Sequence, residues 1–93
     1  MPTAVSGSYE WDTEKAAENL IKHGVSFEEA TSVLDSPVTL EFADPTDAAN
    51  ALTIGFSLQA RLLLVVSTER RKRTRIISAR KATPAERAAF SNR

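Results

Sequence analysis

The chain has 93 residues, 42% of them hydrophobic and 26% charged, with a formal net charge of zero, which is typical of one small globular domain. It contains no cysteine and a single histidine, so a disulfide framework and a thiolate metal site are excluded, and neither a metal nor another cofactor is expected. The longest apolar run, Leu62–Val66, is too short to span a bilayer, and no basic segment followed by a hydrophobic one begins the chain, so we expect a cytoplasmic protein that contacts no membrane.

The chain begins with a segment that predicts little structure, followed by a helix. Residues 1–8 are small and polar and are expected to form a loose N-terminal segment, which leaves residues 9–93 as one domain. After a short strand at 9–11, Asp12 is the expected N-cap of a first helix, and Gly24 is its expected end. The apolar positions of this helix have helical spacing and are Ala16, Ala17, Leu20 and Ile21.

A second helix is predicted from Ser26, where Glu29 completes a capping box in which each side chain accepts from the other residue's backbone amide. This helix has an apolar stripe and ends before Pro37. Its apolar residues are Phe27, Ala30, Val33 and Leu34.

The middle of the chain changes to strand patterns, and the C-terminus returns to a helix. The expected strands are Val38–Phe42, Leu52–Ser57, Arg61–Glu69 and Thr74–Ala79. A last helix is predicted from a second capping box, formed by Thr83 and Glu86, with Pro84 at its first position. Because the strands follow one another through short connections, the prediction is an α+β fold with two N-terminal helices, an antiparallel sheet of three to five strands and one C-terminal helix.

The zero net charge conceals a strong asymmetry between the two halves. Residues 1–50 contain ten acids and two bases and carry −8, whereas residues 51–93 contain ten bases and two acids and carry +8. Seven of the twelve bases lie within residues 70–81. This pattern favours an anionic partner for the basic half, either nucleic-acid phosphate or an acidic protein. The alternative is that the two halves neutralise each other across one small surface.

Glu69 is the one acid within the basic stretch, and its neighbours suggest a catalytic hypothesis. A carboxylate beside guanidinium groups can act as general base for an RNA 2′-hydroxyl while the arginines stabilise the charged transition state. The structural alternative is that Glu69 only pairs with Arg71, Arg73 or Arg75 across a hairpin.

The remaining basic residues and the histidine each have two interpretations. Arg73 and Arg75 share one strand face, and Arg80 has the opposite parity unless a bulge resets it, so the three form either a phosphate-binding patch or a charged, solubilising edge. His23, beside Lys22 in a last helical turn, is either a cap for the helix dipole or a proton donor to a leaving oxygen. Trp11 and Phe27 are expected in the core rather than stacked on bases.

Three stretches taken together resemble the BrnT toxin family. They are Tyr9-Glu10-Trp11-Asp12, the segment from Lys22-His23-Gly24 to Ala30, and the stretch from Thr68-Glu69-Arg70 through Arg75 to Thr83. The resemblance runs from about Tyr9 to Phe90. It implies a RelE-like fold and a metal-independent ribonuclease that acts as the toxin of a type II toxin–antitoxin pair and inhibits translation. It also implies a BrnA-like antitoxin, a ribbon–helix–helix protein that neutralises the toxin and through which alone the complex contacts operator DNA.

The resemblance also assigns residues to the site. The implied catalytic residues are Glu69, Arg80, Arg75 and His23. Of the expected RNA-binding residues, the resemblance implies Arg70 and Lys81, and the local excess of positive charge adds Arg71, Lys72, Arg73 and Lys22.

The chain departs from the family pattern in two places. Ser67 stands where members often carry an aromatic residue or histidine, and the strand entry from Ala49 to Gly55 has neither the acid nor the arginine often found there. These departures predict weakened catalysis. The rival interpretation is a non-catalytic partner-binding or co-repressor subunit whose basic face binds an acidic antitoxin segment, and a third is RNA binding without cleavage.

Overall fold

The structure, a computed structural model, describes residues 2–93 and contains one six-stranded mixed sheet and three helices. The sheet order is β1-β2-β6-β5-β4-β3, and every neighbouring pair is antiparallel except β2 and β6, which are parallel. The elements in chain order are β1 (Thr3–Ser6), β2 (Tyr9–Asp12), α1 (Thr13–His23), α2 (Phe27–Leu34), β3 (Leu40–Asp44), β4 (Asp47–Phe56), β5 (Leu62–Glu69), β6 (Thr74–Lys81) and α3 (Pro84–Ser91).

The predicted architecture, two leading helices and an antiparallel sheet of three to five strands, is wrong. Two strands precede α1, and residues 3–6, expected in a loose segment, form β1 against β2 through a turn at Gly7, which has a φ of 58°. The sheet is mixed because β2 pairs with the distant β6, where Tyr9 and Glu10 lie opposite Thr74 and Arg75. A pairing between segments more than sixty residues apart leaves no trace in local periodicity.

The ends of α1 agree with the sequence, but its buried face does not. Asp12 accepts from the amides of Glu14 and Lys15, and Gly24 ends the helix in the left-handed region with a φ of 68°. The apolar Leu20 and Ile21 are 52% and 88% exposed, whereas Asn19 is buried. The Asn19 side chain accepts from the Ala79 amide and donates to the Ala79 carbonyl, where β6 extends beyond its pairing with β2. Buried backbone N–H and C=O groups at a strand edge need hydrogen-bond partners, and the side-chain amide of Asn19 in α1 provides them.

The two predicted capping boxes have different outcomes. At α3, Thr83 Oγ1 accepts from the Glu86 amide and Glu86 accepts from the Thr83 amide, with Pro84 at the first position, so this box is confirmed. At α2, Ser26 Oγ accepts from the Glu29 amide, but the Glu29 carboxylate turns away and pairs with Arg61, the residue directly before β5. Half of the capping box predicted for α2 is therefore wrong, because the Arg61 guanidinium binds the carboxylate that was expected to accept from the Ser26 amide.

The sheet separates two apolar clusters, and we name its faces after the helices that cover them. The helix face packs under α1 and α2, and its core includes Trp11 and Phe27, whose rings meet edge to face at 6.1 Å. Both aromatic residues are core residues, as predicted. The α3 face carries a smaller cluster, in which Phe90 of α3 packs against Ile54 and Leu64.

Candidate active site

A cleft of about 420 Å³ opens on the sheet beyond the C-terminal end of α2. Glu69, the last residue of β5, lines it and accepts from Thr74 Oγ1 at 2.8 Å across the β5–β6 ladder. We call this feature the Glu69 cleft. Its other acid is Glu41 of β3, and no lysine, arginine or histidine is among its lining residues. The cleft is therefore acidic although the C-terminal half of the chain is strongly basic.

Tyr9 lines the same cleft and adds to its acidic character. Its hydroxyl donates to Asp35 at the end of α2. Burial, followed by this hydrogen bond and by the negative charges of Asp35 and Glu69, raises the pKa of Tyr9 to about 12. Tyr9 is consequently a neutral phenol with an engaged proton at physiological pH.

Four basic residues follow Glu69 directly in the turn between β5 and β6, and we call residues 70–73 the basic turn. Arg70, Arg71 and Lys72 are exposed, and residues 2–93 provide none of their side chains with a hydrogen bond or ion pair. Arg73 is half-buried and donates to the carbonyl of Gly7 at 3.3 Å. The basic turn thus holds three free cations next to one carboxylate.

Arg75 and Arg80 share the opposite face of the sheet from Glu69. A bulge at Ile77 resets the alternation of β6, so that Arg80 lies opposite Leu64 and Arg75 opposite Thr68, both on the α3 face. Glu69 lies opposite Thr74 on the helix face. The three strand-borne residues of the predicted constellation are therefore divided between two faces.

Both arginines are also already paired. Arg75 donates to Glu10 at 2.6 Å, and Arg80 makes two hydrogen bonds of 2.8 Å to Glu86 in the first turn of α3. The hydrogen bonds between Arg80 and Glu86 raise the pKa of Arg80 and lower the pKa of Glu86. Arg80 further lies five residues along the ladder from the Glu69 position, which is about 16 Å. The structure does not bring Glu69 and Arg80 to one phosphodiester.

The other predicted site residues lie away from the Glu69 cleft. His23 and Lys22, in the last turn of α1, line a separate depression with Ile77 and Ser78. Lys81 is exposed at the far end of β6, in a depression that also includes Arg61 and Arg87. None of these three predicted residues lines the Glu69 cleft.

Sequence reasoning missed a buried ion pair on the helix face. Glu29, 6% exposed, accepts from two guanidinium nitrogens of Arg61 and from Ser57 Oγ at 2.7 Å. Hydrogen bonds from Arg61 outweigh the opposing effect of burial and lower the pKa of Glu29. The capping-box motif pointed to another role for this carboxylate, and its 32-residue separation from Arg61 gave no local signal.

The two stretches expected to depart from the pattern of the resembled family meet in the Glu69 cleft. Ser67, Ala49 and Ala51 all line it, as does Thr53, which sequence reasoning also missed. Thr53 is 3% exposed, and its Oγ1 atom has no hydrogen-bond partner within residues 2–93. Positions separated in sequence thus form one wall made of small side chains.

Within residues 2–93, no group of three or more histidine, aspartate or glutamate side chains is placed to hold a metal ion. None of the three helices in this part of the chain is long and apolar enough to span a bilayer.

Comparisons with known proteins give the family. The family model described as the ribonuclease toxin BrnT of type II toxin–antitoxin systems matches residues 11–86. The chain belongs to the BrnT family. The crystal structure of the Brucella abortus ribonuclease toxin BrnT superposes on it with a TM-score of 0.63 at 26% identity, covering 78% of this chain and 92% of that one. Among curated proteins, none is similar enough to count as a match.

Family membership confirms the resemblance seen in the sequence motifs. The chain is a ribonuclease toxin of a type II toxin–antitoxin system by family, and such a toxin acts with an antitoxin partner.

Proposed function

We propose that the chain is an endoribonuclease that cuts RNA without a metal ion at the rim of the Glu69 cleft. The observation that carries this proposal is the position of Glu69 next to the free cations Arg70, Arg71 and Lys72. The cations bind the phosphates on either side of the scissile bond, and the carboxylate lies within reach of the ribose between them.

Glu69 acts as the general base. It takes the proton of a ribose 2′-hydroxyl, the 2′-oxygen attacks the neighbouring phosphorus, and the bond from phosphorus to the 5′-oxygen breaks, leaving a 2′,3′-cyclic phosphate and a 5′-hydroxyl. The leaving oxygen takes its proton from water, because the Tyr9 proton is engaged by Asp35 and His23 lies in another depression. Ser67 offers no better proton donor, so turnover is slow.

Arg75 and Arg80 have positioning roles in this proposal. Arg75 ties β6 to β2 through Glu10, and Arg80 ties β6 to α3 through Glu86. They keep the two ends of β6 in place, and neither touches the RNA at the Glu69 cleft.

The biological setting follows from the family. A BrnA-like antitoxin binds the toxin in the cytoplasm and keeps it inactive, and operator DNA is contacted through the antitoxin alone. Released toxin cuts RNA and thereby inhibits translation.

The test is cleavage of a single-stranded RNA by the purified chain in EDTA. Wild-type protein should cut, and Glu69→Gln should cut at least about 100-fold more slowly, which is the usual contribution of a general base. Glu41→Gln removes the other acid of the cleft and is the matched control, with cleavage expected at the wild-type rate. Equal rates for wild type and Glu69→Gln, or cleavage that disappears in EDTA, would contradict the mechanism.

A non-catalytic binding subunit is the second candidate, and one observation favours it. The wall of the Glu69 cleft includes Ala49, Ala51 and Ser67, which provide neither a cation nor an imidazole for catalysis. In that case RNA stays intact in the same assay while the chain still binds its antitoxin through the basic face.

A further inference from the structure

The floor of the Glu69 cleft has features that RNA cleavage at its rim does not use. Glu41 and Thr53 lie directly opposite each other on β3 and β4, with both side chains on the helix face. Glu41 is exposed and has no ion-pair partner within residues 2–93. Beside it, the buried Thr53 hydroxyl has no hydrogen-bond partner.

The Thr53 hydroxyl is an independent sign that a ligand is missing from this site. Buried polar groups in proteins are almost always hydrogen-bonded, and an orphaned one carries a free-energy cost. Thr53 is 3% exposed and lines the cleft, so its unpartnered hydroxyl belongs to the wall that a ligand would contact. A ligand that donates hydrogen bonds would satisfy this hydroxyl.

The charges around the cleft decide which donor fits. Glu41 and Glu69 line it, Asp35 lies behind Tyr9, and the lining contains no cation to offset them. Phosphate and carboxylate groups are repelled from such a floor, whereas a cation is attracted.

We propose that the floor of the Glu69 cleft binds an arginine side chain presented by a protein partner, with Glu41 and Thr53 as its acceptors. A planar guanidinium has several donors, so it can pair with a carboxylate through two hydrogen bonds and still donate to a hydroxyl, and it also packs on aromatic rings such as Tyr9. The antitoxin that a type II toxin requires is the partner in question. This inference goes beyond the ribonuclease proposal and does not depend on it.

The test is an NMR titration of the chain, without RNA, by N-acetyl-arginine amide. We expect saturable shifts confined to the amides around residues 41, 53 and 67. N-acetyl-citrulline amide, which has the same shape without the charge, should give no saturable shifts.

Variants locate the site. Glu41→Gln and Thr53→Val should each weaken arginine binding, Glu41→Gln by at least fivefold, whereas Glu28→Gln, which removes an exposed acid of α2 outside the cleft, should leave it unchanged. Equal binding of citrulline, unchanged affinity in Glu41→Gln, or shifts elsewhere on the surface would overturn the proposal. Tighter binding of spermidine at the same residues would overturn the assignment to a protein side chain.

Binding and cleavage can fail separately. Glu69→Gln should lose RNA cleavage and should still show saturable shifts around residues 41 and 53 with N-acetyl-arginine amide, because Glu41 and Thr53 are the acceptors. A chain that cuts no RNA but binds arginine through Glu41 would sink the ribonuclease proposal and keep this one.

Discussion

Carboxylates at the two ends of the helix face have opposite environments. At one end Glu29 is buried and held by Arg61 and Ser57, and at the other Glu41 and Glu69 line an open cleft that contains no cation. A buried carboxylate is tolerated in a small core only when donors surround it, so the first end is built for stability. Unpaired acids in a cleft contribute little to folding, which marks the second end as a place for a ligand.

Removing the cation from the first end should have the largest effect on stability. Arg61→Ala leaves Glu29 buried without its main partner and should lower the free energy of unfolding by about 2–4 kcal/mol, somewhat less than for a fully buried pair because the Arg61 side chain is 32% exposed. Urea denaturation measures this change. Arg87→Ala, an exposed arginine in the same depression, is the control and should cost less than about 0.5 kcal/mol. Equal effects of the two variants would mean that the pair with Glu29 is not structural.

Acid should weaken the two hydrogen-bonded ion pairs, Glu29 with Arg61 and Glu86 with Arg80. The pKa values of Glu29 and Glu86 are lowered in the folded state by hydrogen bonds from Arg61 and Arg80. Their contribution to stability is therefore fully present above the unfolded value of about 4.5 and is lost as pH falls through the lower folded values.

Urea denaturation between pH 7 and pH 3 measures this dependence. Glu29→Gln should be less stable than wild type at pH 7 and should have a shallower decline below pH 4.5. Parallel curves for the two proteins would show that Glu29 does not contribute to acid sensitivity.

Removing a single hydroxyl group at each end should have the smallest effects on stability, and the two effects should differ in sign or size. Ser57→Ala removes a donor to Glu29 and should cost about 1–2 kcal/mol. Thr53→Val replaces an orphaned hydroxyl by a methyl group of similar size and should be neutral or stabilise by up to about 1 kcal/mol. Thermal unfolding distinguishes them, and a large loss for Thr53→Val would show that its hydroxyl is satisfied in the free protein.

Local chemistry in the sequence predicted the helix termini well. Asp12, Ser26 and Thr83 cap their helices as expected, because a cap depends on residues within one turn. The motif resemblance also gave the family correctly.

Long-range pairing accounts for what the sequence did not predict. The parallel β2–β6 pairing, the Asn19 contact to β6 and the Glu29–Arg61 pair each join residues more than thirty positions apart. The prediction of the candidate site was affected most by long-range pairing. The bulge at Ile77 puts Arg75 and Arg80 on the same face of the sheet, which is the face opposite Glu69. One inserted residue in a strand moves every later side chain to the other face.

The central claim is that RNA lies over the basic turn next to Glu69 and not over Arg80. The most direct test is NMR mapping of a short single-stranded RNA on Glu69→Gln, the variant in which cleavage should be suppressed. We expect the amides of residues 69–74 to shift and the effect to weaken steeply with added salt, because phosphates bind to the free cations there. Shifts centred on β6 near Arg80 and on the start of α3, with residues 69–74 unchanged, would contradict the account.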